Sequence, residues 1–495
     1  MFSFPIATPE STGVPSAAIE KFVRKIDQQR QCLHSISVYK GGKMIFDAAY
    51  APMTADEKHR MYSCSKSFVS MTIGLLQDEG KLSIYDRVAQ YFPEYDTPDL
   101  HPWLKYATIR DMLMMADCHT YNTYIMDKAE PDMDWVATWF NTPPSHKPGT
   151  IFQYNTTCTV MMCVIIERVT GMSFLEYLKP RVFAPLGMTE DIECVNTPCG
   201  HAWGGSGILC SAHDLAKFAY LCMHGGEVNG QQLLPEDYVA EATAYQIDNT
   251  LDNGYFEHQQ GYGYQVWRIR NGGFAFFGMG SQYAYCYPEH DLMVVTTGDT
   301  QADTTAGTVH LQAIADYILP ALSGTPLAED PKAYKSLTAL GESLTLRATD
   351  GAAFSPLMGS VSGKTYVFPE GNMLGWKYAR FDFTEGDEHS ITYENKAGVH
   401  TLRFAAGRNI GQELYEPSVY TMDIGHPGNR ALRTFCNAAW KDLRTLHLIF
   451  YVCDVCFDTV QLTFHFDGNT LTVAGVKAAE WVLYDYVGFA TGTTK

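Results

Sequence analysis

The pattern of hydrophobic residues changes near residue 325 and divides the sequence into two parts. Before this position helix-like and strand-like segments alternate, whereas beyond about residue 352 the helical period fades and short strand-like segments follow one another. A chain of 495 residues is also too long for one ordinary core. We therefore predict an α+β domain at 1–325, a linker at 326–350 and an all-β domain at 351–495.

The first part contains several segments with clear periodicity. Gly41-Gly42 can supply the positive φ that a tight hairpin needs, and apolar residues recur at helical spacing after Ser63. The predicted elements are a hairpin at 34–50, helices at 64–80, 157–170, 212–224 and 311–319, and two strands at 274–298 that turn at 288–291.

The second part contains short strand-like segments separated by turn residues. Seven or more such strands favour a sandwich or an up-and-down barrel. The segments are 364–368, 373–383, 389–393, 400–404, 446–452, 460–466 and 471–476.

The net charge is strongly negative, with 36 Lys and Arg against 55 Asp and Glu, which gives −19. Such a surface repels phosphate backbones and anionic membranes, so we expect no nucleic-acid partner and no membrane partner. The thirteen cysteines are odd in number and scattered, which is typical of reduced thiols used as small apolar residues.

The first eleven residues contain no Lys or Arg and no long apolar run. The longest apolar stretch, around 160–166, is far shorter than the ~20 residues that span a bilayer. These features lead us to expect a cytoplasmic protein. The sequence leaves a homo-oligomer open without predicting one.

The most specific local signal is Ser63-Cys64-Ser65-Lys66 at the head of the predicted helix 64–80. A serine hydroxyl needs a base within hydrogen-bond reach to act as a nucleophile at neutral pH. Three residues are nearly one helical turn, so the Lys66 amine can reach Ser63. Burial would have to lower the pKa of Lys66 for it to accept a proton.

The spacing alone is weak, because a helix-capping serine followed by an exposed lysine has the same pattern. A second copy of the spacing joins Ser37 to Lys40. That pair lies in the predicted hairpin, where residues three apart face opposite sides of the strand. Only the Ser63 pair therefore suits a nucleophile and its base.

Ordered blocks of sequence across roughly residues 5–320 make the prediction of Ser63 as a nucleophile and Lys66 as its base far more specific. They are PESTGVPSAAI, MYSCSKSFVSMTIGLLQDEGKLSIYDRVAQYFPE, TIRDMLMMADCH, FQYNTTCTVMMCVIIERVTGMSFLEYL, VFAPLGMTEDIE, GGSGILCSAHDLAKFAYLCMHGGEVNGQQLL and GYGYQVWR. Together they resemble the serine β-lactamase-related family, which comprises class C β-lactamases, penicillin-binding proteins and related esterases and amide hydrolases. The opening is most similar to the 6-aminohexanoate-dimer hydrolase and esterase-like branch.

The resemblance implies a β-lactamase/transpeptidase-like domain, with an antiparallel sheet flanked by helices and a helical subdomain. Some relatives append a lipocalin-like barrel, which fits the all-β second part. The family's Tyr-x-Asn element is represented by Tyr154, which the resemblance implies relays a proton between the serine, the lysine and the leaving group. Thr156 stands where the family has Asn, so the usual grip on a substrate amide is altered, and Asn155 is a candidate to compensate.

The third family element, Lys-Thr-Gly or His-x-Gly, aligns with the segment 278–282, which reads Gly-Met-Gly-Ser-Gln. The cation expected at or beside Gly278 is absent, which argues against an anionic β-lactam as natural substrate. Small residues still let a substrate approach, and the resemblance implies that backbone around Gly280 and Ser281 completes an oxyanion hole with the N–H of Ser63.

Other site types have little support in the sequence. The histidines form no H-x₃-H or H-E-x-x-H pair, so we predict no metal site. No G-x-S-x-G elbow is present. The segment Gly204–Gly207 lacks the residues of a phosphate loop and is expected to shape a pocket wall or to turn the chain before the helix at 212–224. Packing explains a further aromatic set at least as well as a site role does: Tyr62, Tyr121, Tyr124, Trp135 and Trp203.

We therefore predict a serine hydrolase of small esters or amides that forms an acyl-enzyme on Ser63 and needs no cofactor. Lys66 and Tyr154 are the predicted proton carriers, and Thr156, Gly280 and Ser281 are predicted to contact the substrate or the oxyanion. Two alternatives stay open: a D-amino-acid peptidase or weak β-lactamase, and a catalytically inactive binding protein on the same scaffold.

Overall fold

The structure is a computed structural model that describes residues 2–124, 133–251, 255–418, 428–478, 483 and 486–494. The described residues divide into two compact units, one ending at Leu344 and the other beginning at Thr345. The boundary lies inside the segment predicted as a linker, 326–350. Most of that segment is folded, because it contains a helix at Pro331–Ser343 that packs against the helix Ser16–Gln28 of the first unit.

The first unit combines helices with short and long strands. Its α-helices are α1 Ser16–Gln28, α2 Ser65–Asp78, α3 Pro102–Tyr106, α4 Ile109–Leu113, α5 Trp135–Asn141, α6 Thr156–Thr170, α7 Phe174–Leu178, α8 Ala184–Leu186, α9 Ala212–Met223, α10 Glu236–Thr243, α11 Ala306–Ala313 and α12 Pro331–Ser343. Its strands are β1 Leu33–Lys40, β2 Lys43–Ala49, β3 His59–Arg60, β4 Glu193–Cys194, β5 Ile208–Cys210, β6 Glu227–Val228, β7 Gln231–Gln232, β8 Trp267–Arg268, β9 Phe274–Gly278, β10 Gln282–Tyr287 and β11 Leu292–Gly298.

Six strands form the main sheet of this unit in the order β2-β1-β11-β10-β9-β8, and every neighbouring pair is antiparallel. The predicted hairpin at 34–50 is confirmed as β1 and β2. Gly41 and Gly42 turn it with φ of 60° and 67°, a left-handed region that glycine enters without a Cβ clash. A smaller sheet joins β3, β5 and β4.

The segment 274–298 forms three strands, where the sequence pattern predicted two. The predicted turn at 288–291 is present, but a second turn separates β9 from β10. Gly280 and Ser281 have φ of 78° and 75° there, and two consecutive left-handed residues reverse the chain. The prediction missed this turn because Ser281 is not a residue type that signals positive φ.

Two apolar helices, α2 and α6, pack against each other in the interior of the first unit. Both are buried along most of their length, as expected for helices that are hydrophobic on all sides. The ring of Phe68 on α2 stacks on Phe218 of α9 at 3.8 Å between centroids. Ser63 directly precedes Cys64, the N-cap of α2, and Tyr154 directly precedes Asn155, the N-cap of α6.

The second unit is a ten-stranded antiparallel sheet that is nearly closed into a barrel. It also contains the short helix α13 Met358–Val361. The strands are β12 Thr365–Val367, β13 Tyr378–Asp382, β14 Glu388–Asn395, β15 Gly398–Ala405, β16 Ile410–Ser418, β17 Gly428–Trp440, β18 Thr445–Cys453, β19 Phe457–Asp467, β20 Thr470–Ala478 and β21 Gly488–Thr494.

The barrel closes through β12 and β21, so its first and last strands are neighbours. The remaining seam lies between β15 and β16, which end the sheet order. There the Gln412 side chain donates to the Arg403 carbonyl at 2.8 Å and accepts from the Arg403 N–H at 2.8 Å. A side-chain amide thus pairs with a strand backbone across the seam, and the predicted all-β domain is confirmed as a barrel.

Among the described residues, no single helix is both long and apolar enough to cross a membrane, although the bent pair Thr156–Thr170 and Phe174–Leu186 has the length and composition.

Candidate active site

Ser63 lies in a tight turn, Tyr62–Cys64, that leads directly into α2. Tyr62 has a φ of 45°, and a bulky residue in the left-handed region stores backbone strain that the surroundings must hold. Such strain clusters where a chain must present one side chain in a fixed direction. The residue presented here is Ser63, which is half-buried.

Lys66 lies one helical turn from Ser63 and is 1% exposed. Its Nζ is 3.0 Å from Ser63 Oγ and donates to the Gly205 carbonyl at 2.6 Å. Burial disfavours the charged ammonium and lowers the pKa of Lys66 to about 7. A substantial fraction of the amine is therefore neutral near pH 7 and able to accept a proton.

Three buried thiols, those of Cys64, Cys158 and Cys163, lie near the Lys66 amine. Burial raises the pKa of each thiol. Because neutral thiols stabilise an ammonium far less than carboxylates do, burial remains the dominant influence on Lys66 and its pKa stays low.

Tyr154 lies against the same amine, with Lys66 Nζ 5.1 Å from the centre of its ring. The ring is held in place by Trp267, at 5.4 Å between centroids, and by Tyr262, at 6.4 Å. The structure therefore brings together the three side chains that the sequence pattern selected. A phenol in this position can exchange a proton with a neighbouring lysine.

Asn155 does not replace the amide that the Tyr-x-Asn element has lost. It is buried and caps α6, because its Oδ1 accepts from the Thr157 N–H at 2.9 Å. Its Nδ2 donates to Asp117 at 3.1 Å, so both ends of the amide are occupied inside the protein. Asp117 also accepts from the ring nitrogens of His119 and Trp139, at 3.0 Å each.

Thr156 is the first residue of α6, and its methyl group packs tightly against Gly205. A Cβ built on Gly205 would lie 2.4 Å from Thr156 Cγ2, so a larger neighbour would not fit. The Thr156 N–H donates to Asn122 Oδ1 at 2.6 Å. Asn122 is exposed beside this helix start, and no sequence signal pointed to it.

The turn between β9 and β10 places the remaining predicted residues. The Ser281 side chain is hydrogen-bonded to Thr300 Oγ1 at 2.6 Å and the whole residue is 0% exposed, so this hydroxyl is not available to a substrate. Gln282 fastens the turn, because its side chain donates to the Met279 and Gly298 carbonyls at 2.8 Å and accepts from the Gly298 N–H. Gly280 has no room for a Cβ without crowding Gln282 Nε2 at 3.1 Å.

The absence of a cation at Gly278 has a steric cause. A Cβ on Gly278 would lie 2.2 Å from the Met61 carbonyl oxygen, two residues before Ser63. Strand β9 therefore approaches the turn that carries Ser63 so closely that only glycine fits, and a lysine or histidine is excluded at position 278.

The aromatic residues singled out in the sequence divide into two groups. Tyr124 stacks on Trp135 at 3.9 Å between centroids, and Trp135 meets Trp203 edge-on at 5.5 Å. These three rings and Tyr62 are buried, as packing predicts, whereas Tyr121 is 60% exposed. Sequence reasoning missed Arg60, a fully buried cation beside this group.

An apolar cavity and a metal centre are two other kinds of site that could bear on function. A cavity of about 490 Å³ between β2 and α12 has mainly apolar walls, with Asp47 and Glu342 among its lining residues, and holds no serine–lysine pair. Among the residues that the structure describes, no group of three or more His, Cys, Asp or Glu side chains is arranged to hold a metal ion.

The fold and the serine–lysine–tyrosine geometry define a serine-hydrolase scaffold of the β-lactamase type. The Beta-lactamase family model matches residues 19–318, and the chain belongs to this family. Members of the family include amide hydrolases, esterases and β-lactamases.

Two curated relatives and one solved structure illustrate the similarity. The chain is 26% identical over 261 residues to the 6-aminohexanoate-dimer hydrolase of Paenarthrobacter ureafaciens, covering 48% of this chain and 64% of that protein. It is 23% identical over 192 residues to penicillin-binding protein 4* of Bacillus subtilis, covering 35% and 40%. It therefore matches less than two thirds of the length of either.

The solved structure of a penicillin-binding protein homologue from Caulobacter crescentus superposes with a TM-score of 0.50 at 16% identity. The superposition covers 62% of this chain and 97% of that one. At this identity the likeness shows the fold, and it confirms the predicted β-lactamase/transpeptidase-like domain.

Proposed function

We propose that this chain hydrolyses small esters or amides through an acyl-enzyme on Ser63. One observation carries the proposal: a buried lysine whose pKa is lowered to about 7 lies 3.0 Å from the serine hydroxyl, in the fold of a serine-hydrolase family. A nucleophile and a base within hydrogen-bond reach are the requirement for covalent catalysis by serine.

In the proposed acylation, Ser63 Oγ attacks the substrate carbonyl carbon and its proton passes to the neutral Lys66 amine. The tetrahedral intermediate carries its negative charge on the former carbonyl oxygen. Backbone N–H groups of Ser63 and of the Gly280–Ser281 turn hold that oxyanion. Tyr154 relays a proton from Lys66 to the leaving alcohol or amine as its bond to carbon breaks.

Deacylation follows the same route in reverse order. Water attacks the acyl carbon, passes a proton through Tyr154 and Lys66, and Ser63 Oγ departs with a proton as the acid is released. The same donors hold the second oxyanion. All steps use side chains and backbone groups of this chain, so the proposed chemistry requires no cofactor.

The site supports neutral acyl groups more than carboxylate-bearing β-lactams. A β-lactam or peptide carboxylate needs a cation near the third motif, and the close approach of Gly278 to Met61 excludes a side chain there. The chain is also similar to a protein named 6-aminohexanoate-dimer hydrolase. We therefore rank linear esters and amides first among the substrate classes. D-amino-acid peptides come second and β-lactams last.

The test is intact-mass labelling with a fluorophosphonate on the native chain, on Ser63→Ala and on Ser37→Ala. We expect one adduct on the native chain and on Ser37→Ala, and none on Ser63→Ala. Ser37→Ala is the matched control because it removes the serine of the other Ser-x-x-Lys pair.

After a positive result, p-nitrophenyl esters, anilides and nitrocefin would rank the substrate classes, and rapid nitrocefin turnover would favour the β-lactamase alternative. A native chain that stays unlabelled and turns over none of these compounds would contradict the proposal. That result would favour a binding protein on the same scaffold.

A further inference from the structure

Arg60 is a buried cation that neither the motif nor the proposed chemistry accounts for. It lies on β3 and is 0% exposed. Its guanidinium is 4.8 Å from the centre of the Tyr62 ring and 4.8 Å from that of Trp203. Burying a permanent charge is costly unless it is paired and hydrogen-bonded, so a residue of this kind calls for a specific role.

The first contacts of Arg60 relate to Lys66, the proposed base. Arg60 Nε donates to the Ser206 carbonyl at 3.0 Å, and Nη2 donates to Ser206 Oγ at 3.3 Å. The adjacent residue is Gly205, whose carbonyl accepts from Lys66 Nζ at 2.6 Å. The guanidinium thus fixes the peptide next to the one that orients the Lys66 amine.

The second contact of Arg60 relates to Ser63, the proposed nucleophile. The Tyr62 ring lies against the guanidinium, and Tyr62 is the residue with a φ of 45° immediately before Ser63. A strained residue keeps its conformation only when its surroundings hold it. Stacking on a planar guanidinium holds the ring, and with it the direction in which the Ser63 hydroxyl points.

We propose that Arg60 is a positioning residue that holds the Ser63 turn and the Gly205 carbonyl in register, so that the Lys66 amine stays in line with the Ser63 hydroxyl. Its planar fork is the property required, because one group must donate to both oxygens of Ser206 while its faces contact two rings. A lysine keeps the charge but has neither the fork nor the flat faces. The inference rests on the proposed function for its kinetic readout.

The experiment compares Arg60→Lys, Ser206→Ala and Arg110→Lys with the native chain. Arg110 is the matched control. Its Nε donates to the Tyr264 hydroxyl oxygen at 3.1 Å, and its guanidinium lies over the Tyr264 ring. It contacts neither Ser206 nor Tyr62. The rate of fluorophosphonate adduct formation on Ser63 is measured from pH 5 to pH 10, together with the melting temperature.

We expect Arg60→Lys to slow adduct formation by about 30-fold or more on the plateau, because a displacement of about 1 Å in a catalytic group can cost on the order of 100-fold. The substitution should also let water reach the Lys66 amine. Because burial is the main cause of the low Lys66 pKa, the pH midpoint of adduct formation should then rise by about one unit. Ser206→Ala should lose about threefold, as one neutral hydrogen bond is removed. Arg110→Lys should match the native chain.

An Arg60→Lys protein with the native plateau rate and midpoint would overturn the inference and leave the proposed function intact. A loss that merely follows the folded fraction, with an unmoved midpoint, would also overturn it. If Arg60→Lys does not fold, Ser206→Ala decides, and an unchanged rate and midpoint in that variant count against the inference. A native chain that forms no adduct would overturn both proposals.

Discussion

The chain contains the same four-residue spacing of serine and lysine in two places, with opposite consequences. Ser37 and Lys40 lie on strand β1, where residues three apart face opposite sides. The Ser37 hydroxyl donates to Asp47 on the neighbouring strand at 2.6 Å. Ser63 and Lys66 lie at a helix start, and the amine is 3.0 Å from the hydroxyl. The spacing brings the two side chains together only where the backbone turns once every 3.6 residues.

Burial distinguishes the two lysines as well. Lys66 is enclosed and its pKa is lowered to about 7, whereas Lys40 ends a strand at a partly exposed position. Ser37 is the buried member of its pair and Lys40 the exposed one. Burial thus lowers the pKa of the lysine in the helical pair, Ser63 and Lys66, into the neutral range.

The largest expected effect comes from removing the base. Lys66→Met should lower the rate of adduct formation on Ser63 by about 1000-fold or more, since general base catalysis alone contributes roughly 100- to 10,000-fold. Lys40→Met should leave the rate unchanged. Intact-mass kinetics at pH 8 measure both. Equal rates for the two variants would remove the functional difference between the two pairs.

The next effect concerns the proton relay. Tyr154→Phe keeps the ring on Trp267 and removes only the hydroxyl, so we expect a fall of about 100-fold in ester turnover with little loss of thermal stability. A steady-state assay with a p-nitrophenyl ester measures kcat and KM. A variant that keeps its kcat would show that the Tyr154 hydroxyl moves no proton in the rate-limiting step.

Adduct formation should depend on pH through Lys66. Below pH 7 the ammonium form dominates, and the rate should fall about tenfold per pH unit, because only the neutral amine accepts the proton. Above pH 8 the rate should level off. Lys66→Met should lose this pH dependence. A midpoint near pH 10 in the native chain would contradict the expectation that burial lowers the pKa of the Lys66 amine.

The same group affects stability in a defined direction. Its pKa is about 7 in the fold against 10.5 for an ordinary lysine, so between these values the unfolded chain binds more protons and stability rises with pH. Each pKa unit corresponds to about 1.4 kcal/mol, so burial of the amine costs on the order of 5 kcal/mol below pH 7. Lys66→Met should therefore melt at a higher temperature than the native chain at pH 6.

The smallest effect is expected at the other serine. Ser37→Ala should lower the free energy of unfolding by about 1.5–3 kcal/mol, because it removes one hydrogen bond to the Asp47 carboxylate, which keeps its contact with His213. Its adduct rate should equal that of the native chain. Urea unfolding and labelling of the same preparation measure both quantities, and a slower adduct would assign the strand pair a role in the site.

Much of the fold followed from periodicity and turn residues. The β1–β2 hairpin, α2, α6 and α9 begin and end within a few residues of their predicted bounds, because glycines mark their ends and apolar residues their faces. The turn at Gly280 and Ser281 was missed, because a serine at positive φ carries no sequence signal. Helix α12 falls in the segment that was assigned to a linker because of its Ser, Thr, Gly, Pro and Ala content. In the structure it buries only Leu337 and Leu340.

The candidate site was predictable where it rests on a local motif and unpredictable where it rests on contacts between distant segments. Ser63 and Lys66 share one helical turn, and Tyr154 came from a family pattern. Three contacts join distant segments: Arg60 donates to Ser206, Lys66 donates to the Gly205 carbonyl, and Asn155 donates to Asp117, across 146, 139 and 38 residues respectively. No spacing rule connects such residues.

The close approach of β9 to Met61 also limits what a small number of mutations can produce. A one-step change that installs a carboxylate-binding cation at position 278 would place atoms inside the Met61 carbonyl, so a library built at that codon should retain glycine under selection for folded protein. New recognition of acidic substrates would have to arise from side chains that reach in from elsewhere on the rim. The backbone geometry around Gly278 therefore limits which substitutions this position can accept.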